Sequence, residues 1–375
     1  MLHRSIGRTV VAIPVRDEED QIGACIAALA RQSEALDDIL LFLNNTVDRS
    51  ATIARSMAAA FGCRLHVVEI AWPASEASAG LARKAAMDHA AELAGPQGAI
   101  LTTDADGRVP PHWVARNLSH LRAGYDAVCG MAEIDPRDEA AIAPHLLADD
   151  LAETRYTTLL DEIAHVVDPC PWDPWPRHTQ RSGASIAIRT AVYAAIGGVP
   201  AVRHGEDRAL IEKLEDRDCK IRHDPAISVT VSGRQVGRAE GGMAATIARR
   251  MIAQDIWADD RLEAPQAALR RVRLRREARG VWSGKFDGRF LAASLQMPEA
   301  EVERVLRSPW FGAAWSAMTK ASPVLRRRPI AMRQLGAACL EAERLLDDLR
   351  AARMPAVSPS SRPAGGAAGG GVWAE

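Results

Sequence analysis

Two carboxylates one residue apart, Asp104 and Asp106, close the apolar run Leu101-Thr102-Thr103-Asp104-Ala105-Asp106-Gly107. Oxygen ligands at a flexible strand end suit Mg²⁺ or Mn²⁺, with Asp104 and Asp106 as the candidate ligands. Such an ion would bridge diphosphate oxygens and neutralise charge as a bond to phosphate breaks. Asp and Gly also make ordinary turns, so the triplet alone equally describes a surface loop. A second acidic pair, Glu206 and Asp207, follows Gly205 at the start of a helical stretch. A carboxylate there can take a proton from a hydroxyl, or it can simply complement the positive end of the helix dipole. Arg83, Lys84, Arg234 and Arg238 offer cations for a diphosphate, arginine being suited to bidentate contact with phosphate. His204 and His223 are open as a third metal ligand or as structural histidines.

These residues need a scaffold, and the hydrophobic pattern supplies one. Residues 9–15 (TVVAIPV) form a β-branched apolar run closed by Pro14, the profile of a buried parallel strand. Ile22, Cys25, Ile26 and Leu29 then recur at helical spacing behind acidic residues 17–20. The alternation continues with strands expected at 39–43, 65–70, 99–103 and 127–131 and helices at 50–61, 77–93 and 111–121. Strand and helix in turn imply a mostly parallel sheet with helices on both faces, an α/β fold. Ligands of such sheets bind beyond the carboxyl ends of the strands, so the loops beginning at Pro14, Asn44, Ala71 and Asp104 are where a site belongs. Further strands are expected at 185–188 and 221–231, separated by a helix at 206–215. The segment 168–178 (DPCPWDPWPRH) holds four prolines and two tryptophans and cannot be regular. Its Trp172 and Trp175 could stack on a sugar ring or pack as a surface loop.

Several short motifs in one order give a resemblance to the family 2 inverting glycosyltransferases of the GT-A (nucleotide-diphospho-sugar transferase) fold, over about residues 8 to 240. Pro14-Val15-Arg16-Asp17-Glu18-Glu19 resembles the family's Pro-x-Arg-Asn-Glu-Glu loop, with Asp for Asn. Asn45-Thr46-Val47-Asp48-Arg49-Ser50 is a looser match to its Gly-Ser-Thr-Asp-Gly-Thr turn. Gly80-Leu81-Ala82-Arg83-Lys84-Ala85-Ala86 matches Gly-x-Ala-Arg-Asn-x-Gly at Arg83, and Gly183-Ala184-Ser185-Ile186-Ala187-Ile188-Arg189 resembles the segment that lines the donor sugar. Gly205-Glu206-Asp207 stands where the family has the acidic pair that includes its catalytic base. The resemblance implies a metal-dependent transfer of a sugar from a nucleotide-sugar donor to an acceptor hydroxyl, with inversion. It implies that Pro14, Arg16, Glu18 and Asn44 face the nucleotide, that Gly183 and Ala184 line the donor, and that Asp207 is the base with Glu206 its neighbour. Arg234 and Arg238, in Ser232-Gly233-Arg234-Gln235-Val236-Gly237-Arg238, would belong to a basic loop over the diphosphate or to a solvated face. The whole reading requires the carboxylates after the fourth strand and those near 206 to face one cleft. Two rivals remain: nucleotidyl transfer to a sugar phosphate, disfavoured by the lack of glycine in 14–19, and a non-catalytic nucleotide-sugar-binding protein.

With 47 Lys and Arg against 48 Asp and Glu the formal charge is −1, so nucleic acid is not an expected partner. The acceptor is left open among carbohydrate, lipid-linked and small-molecule hydroxyls. Six scattered cysteines suggest reduced thiols, and the apolar run ending at Pro14 is too short for a secretion signal, so a cytoplasmic setting is expected. Residues 1–240 are expected to form the catalytic domain, 241–355 a helical region, and 356–375, nearly all Ser, Pro, Gly and Ala, a disordered tail. Arginine-rich stretches such as 270–276 would allow contact with a membrane surface, a reading the nearby acidic residues disfavour.

Overall fold

The structure, a computed structural model, describes residues 5–57, 62–234, 243–252 and 255–353. Arg238 and the tail expected at 356–375 lie outside the described residues. Strands and helices alternate through β1 (Thr9–Val15), α1 (Ile22–Ala30), β2 (Asp38–Asn44), α2 (Ser50–Met57), β3 (Arg64–Ile70) and α3 (Ala79–Ala94). Then come β4 (Ala99–Thr102), α4 (Trp113–Arg122), β5 (Ala127–Ile134), α5 (Pro136–Glu139) and the long α6 (Pro144–Val167). They are followed by β6 (Ile186–Arg189), α7 (Thr190–Ala195), α8 (Glu206–Asp216) and β7 (Ile221–Val231). The rest is helical: α9 (Met243–Ile252), α10 (Pro265–Trp282), α11 (Leu291–Leu295), α12 (Glu299–Leu306), α13 (Phe311–Ala321) and α14 (Leu335–Arg353).

The seven strands form one sheet in the order β3-β2-β1-β4-β6-β5-β7. Alternate β1 side chains point to opposite faces. Val11, Ile13 and Val15 meet Ile26 of α1 and Trp113 of α4, whereas Val10 and Ala12 meet Met87 of α3 and Leu210 of α8. Burial on both faces is why β1 reads as an unbroken apolar run, and each such Val or Ile contributes about 1.5–3 kcal/mol. The mostly parallel α/β sheet expected from the sequence is thus present, with one reversal. β6 runs antiparallel to both β4 and β5, because the chain reaches it from α6 and the proline-rich segment rather than through a short helical crossover. Pro225 falls inside β7, where a central strand would lose a hydrogen bond. The register slips there, Cys129 facing His223 and Met131 facing Ser228, so the proline sits in a bulge.

β1 lies between β2 and β4, and successive strands leave it in opposite directions, which makes its carboxyl end the switch point where a crevice opens. The ends of β1 and β4, Val15 and Thr102, flank that crevice. α6 departs from the sequence-based grouping. Tyr156, Ile163 and Val167 pack with Leu269 of α10 and with Leu335, Ala342 and Leu346 of α14, so this helix belongs to the same core as the C-terminal helices. The Tyr156 hydroxyl donates to the Glu263 carbonyl at 2.7 Å and ties that layer together. No helix among the described residues is long and apolar enough to cross a membrane. Three arginines of α10 are engaged within the protein: Arg271 pairs with Glu263, while Arg275 and Arg279 share Asp168.

Candidate active site

The loop after β1 is held by the turn after β2. The Glu18 N–H donates to Ser50 Oγ at 2.8 Å, the Glu19 N–H to Asp48 at 2.8 Å, and the Val47 N–H to Asp17 at 2.8 Å. Asp17 and Asn45 both take the left-handed backbone that Asp and Asn tolerate, with φ of 52° and 51°. These mutual bonds fix Arg16 and Glu18 at the mouth of a cleft of about 2590 Å³. Pro14, Asn44, Arg83, Asp104, Asp106, Gly183, Glu206, Asp207 and Arg234 line the same cleft. Ala184 does not. Its side chain is fully buried in the core beneath the sheet, so only its neighbour Gly183 faces the cavity.

Arg83, on α3, is the centre of the arrangement. It is 6% exposed, and its Nε donates to Glu206 at 2.9 Å. Nη1 donates to the Thr102 hydroxyl at 2.9 Å and to the Gly183 carbonyl at 3.1 Å, and Nη2 pairs with Asp104. Burial works against the charge, but Asp104, Glu206 and Asp207 outweigh it and hold the guanidinium above its ordinary value. The carboxylates after β4 and those opening α8 therefore meet across one cleft through a single cation. Arg83 is committed to them rather than left free for a diphosphate, and Lys84 turns to Asp88 at 2.5 Å, one helical turn on.

Asp207 lies at the first turn of α8, after Gly205, whose φ of 69° caps the helix in the left-handed region. Its Oδ2 accepts from the Gly183 N–H at 2.9 Å and its Oδ1 from the Arg208 N–H at 2.8 Å. Gly183 has no room for a side chain, since a Cβ there would stand 2.5 Å from Arg83 Cζ. Gly183→Ala is expected to destabilise the protein by about 1–3 kcal/mol through forced repacking of that guanidinium. A urea unfolding midpoint equal to that of the wild type would contradict this packing.

Arg234 reaches across the cleft to Glu18, with Nη2 and Nη1 each 2.5 Å from a carboxylate oxygen, and lies 3.5 Å from Asp106. Asp106 is pushed up to about 7 by burial first and then by Asp104, with Glu18 adding to it and Arg234 opposing. A buried carboxyl crowded by Asp104 and Glu18 fits a hard cation. Among the described residues no three His, Cys, Asp or Glu side chains converge on one point. His223 is structural: its Nδ1 is 3.0 Å from Asp173 inside the protein. Burial opposes its charge, but the Cys129 sulfur and Asp173 raise it to about 10. His204 lines the cleft.

Asn44 is 1% exposed and offers its Nδ2 to the Ser78 carbonyl at 3.4 Å, while its buried Oδ1 has no hydrogen-bond partner. In the proline-rich segment, Trp172 lines the cleft and Trp175 stands against His165 with ring centroids 6.1 Å apart. Two contributors escaped the sequence reading. Thr102, a residue inside β4, supports Arg83. Asp173 binds Arg222, the His223 N–H and Arg177, and pins the irregular segment to β7. No motif marks either.

No curated protein matches the chain in sequence. Among solved structures it is similar to S. aureus TarS 1-349 in complex with UDP, at 15% identity and a TM-score of 0.45, covering 92% of each chain. It is also similar to the mannosyltransferase PcManGT from Pyrobaculum calidifontis, at 16% identity and a TM-score of 0.41, over 93% of this chain and 81% of that one. Glucosyl-3-phosphoglycerate synthase from Mycobacterium tuberculosis is similar over 67% of this chain and 82% of its own, at 15% identity and a TM-score of 0.41. Residues 10–172 match the family described as Glycosyl transferase family 2. That span runs from β1 through the strand ends that carry Arg16, Asn44, Asp104 and Asp106, so the part of the chain that is similar to glycosyl transferase family 2 is the part that builds this side of the cleft.

Proposed function

We propose that the protein transfers a sugar from a nucleotide-sugar donor to an acceptor hydroxyl with inversion, and that the transfer depends on Mg²⁺ or Mn²⁺. The observation that carries this reading is the meeting of Asp104 and Glu206 on Arg83, which sets Asp106 and Asp207 in one cleft. When bound, the divalent ion at Asp106 and Asp104 would neutralise charge on the donor diphosphate. Asp207, fixed by two backbone N–H groups, takes the acceptor proton as the hydroxyl oxygen bonds to the anomeric carbon from the face opposite the diphosphate. The bond from that carbon to the phosphate oxygen breaks, and the nucleoside diphosphate leaves with the electron pair. Asn44 Oδ1, a buried acceptor without a partner, is suited to an N–H of the nucleotide base or a ribose hydroxyl. Arg83 serves as a positioning residue paired with Asp104, and Arg234 is the cation beside Asp106. A nucleotide-sugar donor and six unpaired cysteines accord with a cytoplasmic setting.

The test is a titration of UDP and GDP, each with Mn²⁺, into the purified protein. One of them is expected to bind, and Asp106→Ala is expected to weaken it roughly tenfold or more, about 1.4 kcal/mol at least. Equal affinity in Asp106→Ala, or no binding of either nucleotide, would remove the donor site assigned here.

A further inference from the structure

The cleft does not end at the donor side. It continues between α6, α8 and the C-terminal helices, where Arg261 and Arg327 line its wall. Neither has a carboxylate within 4.0 Å among the described residues. Arg261 Nη1 donates instead to the Thr179 carbonyl at 2.9 Å, and Arg327 Nη1 to the Arg261 carbonyl at 3.1 Å. Of the nearby acids, Glu263 pairs with Arg271 and Asp260 is exposed to solvent, acting on Arg327 from beyond ion-pair distance. Asp259 accepts from the Arg261 backbone N–H at 2.9 Å, Asp161 from the Thr179 hydroxyl at 2.9 Å, and Glu215 from Arg181 at 2.7 and 2.9 Å. Two guanidinium groups are thus held in place by main-chain carbonyls, with donors left over for an anion that the protein itself does not supply.

Their position relates them to the reacting hydroxyl. Thr179, which holds Arg261, lies four residues before Gly183, whose N–H holds Asp207. Four residues span at most about 14 Å, so the carbonyl that holds Arg261 and the N–H that holds Asp207 belong to one short segment on the wall of the same cleft. Burial lowers both guanidinium groups from their ordinary value; Arg181 pushes Arg261 further, and Arg271 and Arg261 push Arg327 further. An anion placed between them would relieve that repulsion.

We propose that the acceptor carries a phosphate group, bound by Arg261 and Arg327 while a hydroxyl of the same molecule reaches Asp207. This rests on the glycosyl-transfer reading above and names the acceptor class for that site. The phosphate could belong to a soluble polyol phosphate or to a lipid headgroup, and two probes separate the sources. Calorimetric titration of glycerol 3-phosphate, with glycerol as the neutral counterpart, is run in low salt with Mn²⁺ and whichever of UDP and GDP binds. Sedimentation with phosphatidylglycerol vesicles, against phosphatidylcholine, forms the second arm.

At least one phosphate probe is expected to bind the wild type in preference to its neutral counterpart. Arg327→Gln, held by one backbone carbonyl and therefore expected to fold, and Arg261→Gln should each weaken it roughly tenfold or more. Nucleotide affinity should stay at the wild-type value in both. If nucleotide binds but neither phosphate probe does, or if the variants bind the probes as tightly as the wild type, the phosphate subsite is wrong while the donor site stands. Failure of nucleotide binding in the wild type would instead overturn the underlying transferase reading, and this proposal with it.

Discussion

Replacing Asp207 with Asn is expected to lower kcat roughly 10²- to 10⁴-fold, the usual contribution of a positioned general base, while nucleotide affinity stays within about twofold. The substitution is nearly isosteric. An amide keeps one oxygen for one of the two N–H groups that now meet the carboxylate, from Gly183 and Arg208, so the start of α8 should hold its shape. What disappears is the capacity to accept a proton. Single-turnover transfer, once an acceptor is in hand, or donor hydrolysis before then, reads the effect directly. Glu206 is the rival for the role, and the structure separates the two. Glu206 is 6% exposed and its carboxylate is committed to the Arg83 guanidinium, whereas Asp207 is partly open to the cleft. A normal rate in Asp207→Asn, with collapse in Glu206→Gln at unchanged stability, would transfer the base to Glu206.

The sheet was readable because burial on both faces forces continuous apolar runs. Residues 9–15 and 39–43 have no other physical reading, and both are strands. The antiparallel course of β6 was not readable, since direction is set by where the preceding excursion returns the chain and not by the composition of Ile186–Arg189. The site shows the same division. Asp104, Asp106, Glu206 and Asp207 stand out as carboxylates at element ends, and all four reach the cleft. The partners they choose are long-range: Arg83 meets Glu206 across 123 positions and Arg234 meets Glu18 across 216. No local pattern encodes such pairs. For that reason Arg83 looked like a free phosphate ligand and Ala184 like a wall of the cavity, when one is bound up in carboxylates and the other lies in the core. The grouping of α6 with the C-terminal helices was hidden likewise, because an amphipathic helix announces that it has an apolar face and not which layer will cover it.

Arg83→Met is expected to cost about 3–5 kcal/mol of stability, because it strands a buried carboxylate at Glu206 rather than merely deleting a contact. The guanidinium also donates to the Thr102 hydroxyl and the Gly183 carbonyl, so the loss extends to the segment that positions Asp207. Arg83→Lys should recover little of this, since one ammonium cannot serve a side chain in α8, a hydroxyl in β4 and the carboxylate after it in the planar arrangement that a guanidinium provides. The informative partner is Glu206→Leu. If the cost arises from an uncompensated buried charge, Arg83→Met combined with Glu206→Leu should be clearly less destabilised than the sum of the two single variants, by roughly 1–3 kcal/mol in a double-mutant cycle. Asp104, about a third exposed, can be rehydrated and should not block that recovery. Urea denaturation of the four proteins measures the cycle. Strict additivity would mean that Arg83 and Glu206 contribute independently, and the convergence of the two acidic clusters would then be an arrangement without energetic coupling. Strong coupling with transfer lost in the double variant would show that the pair fixes the site's geometry as well as its stability, since the double variant would hold the fold without holding Asp207 where the acceptor needs it.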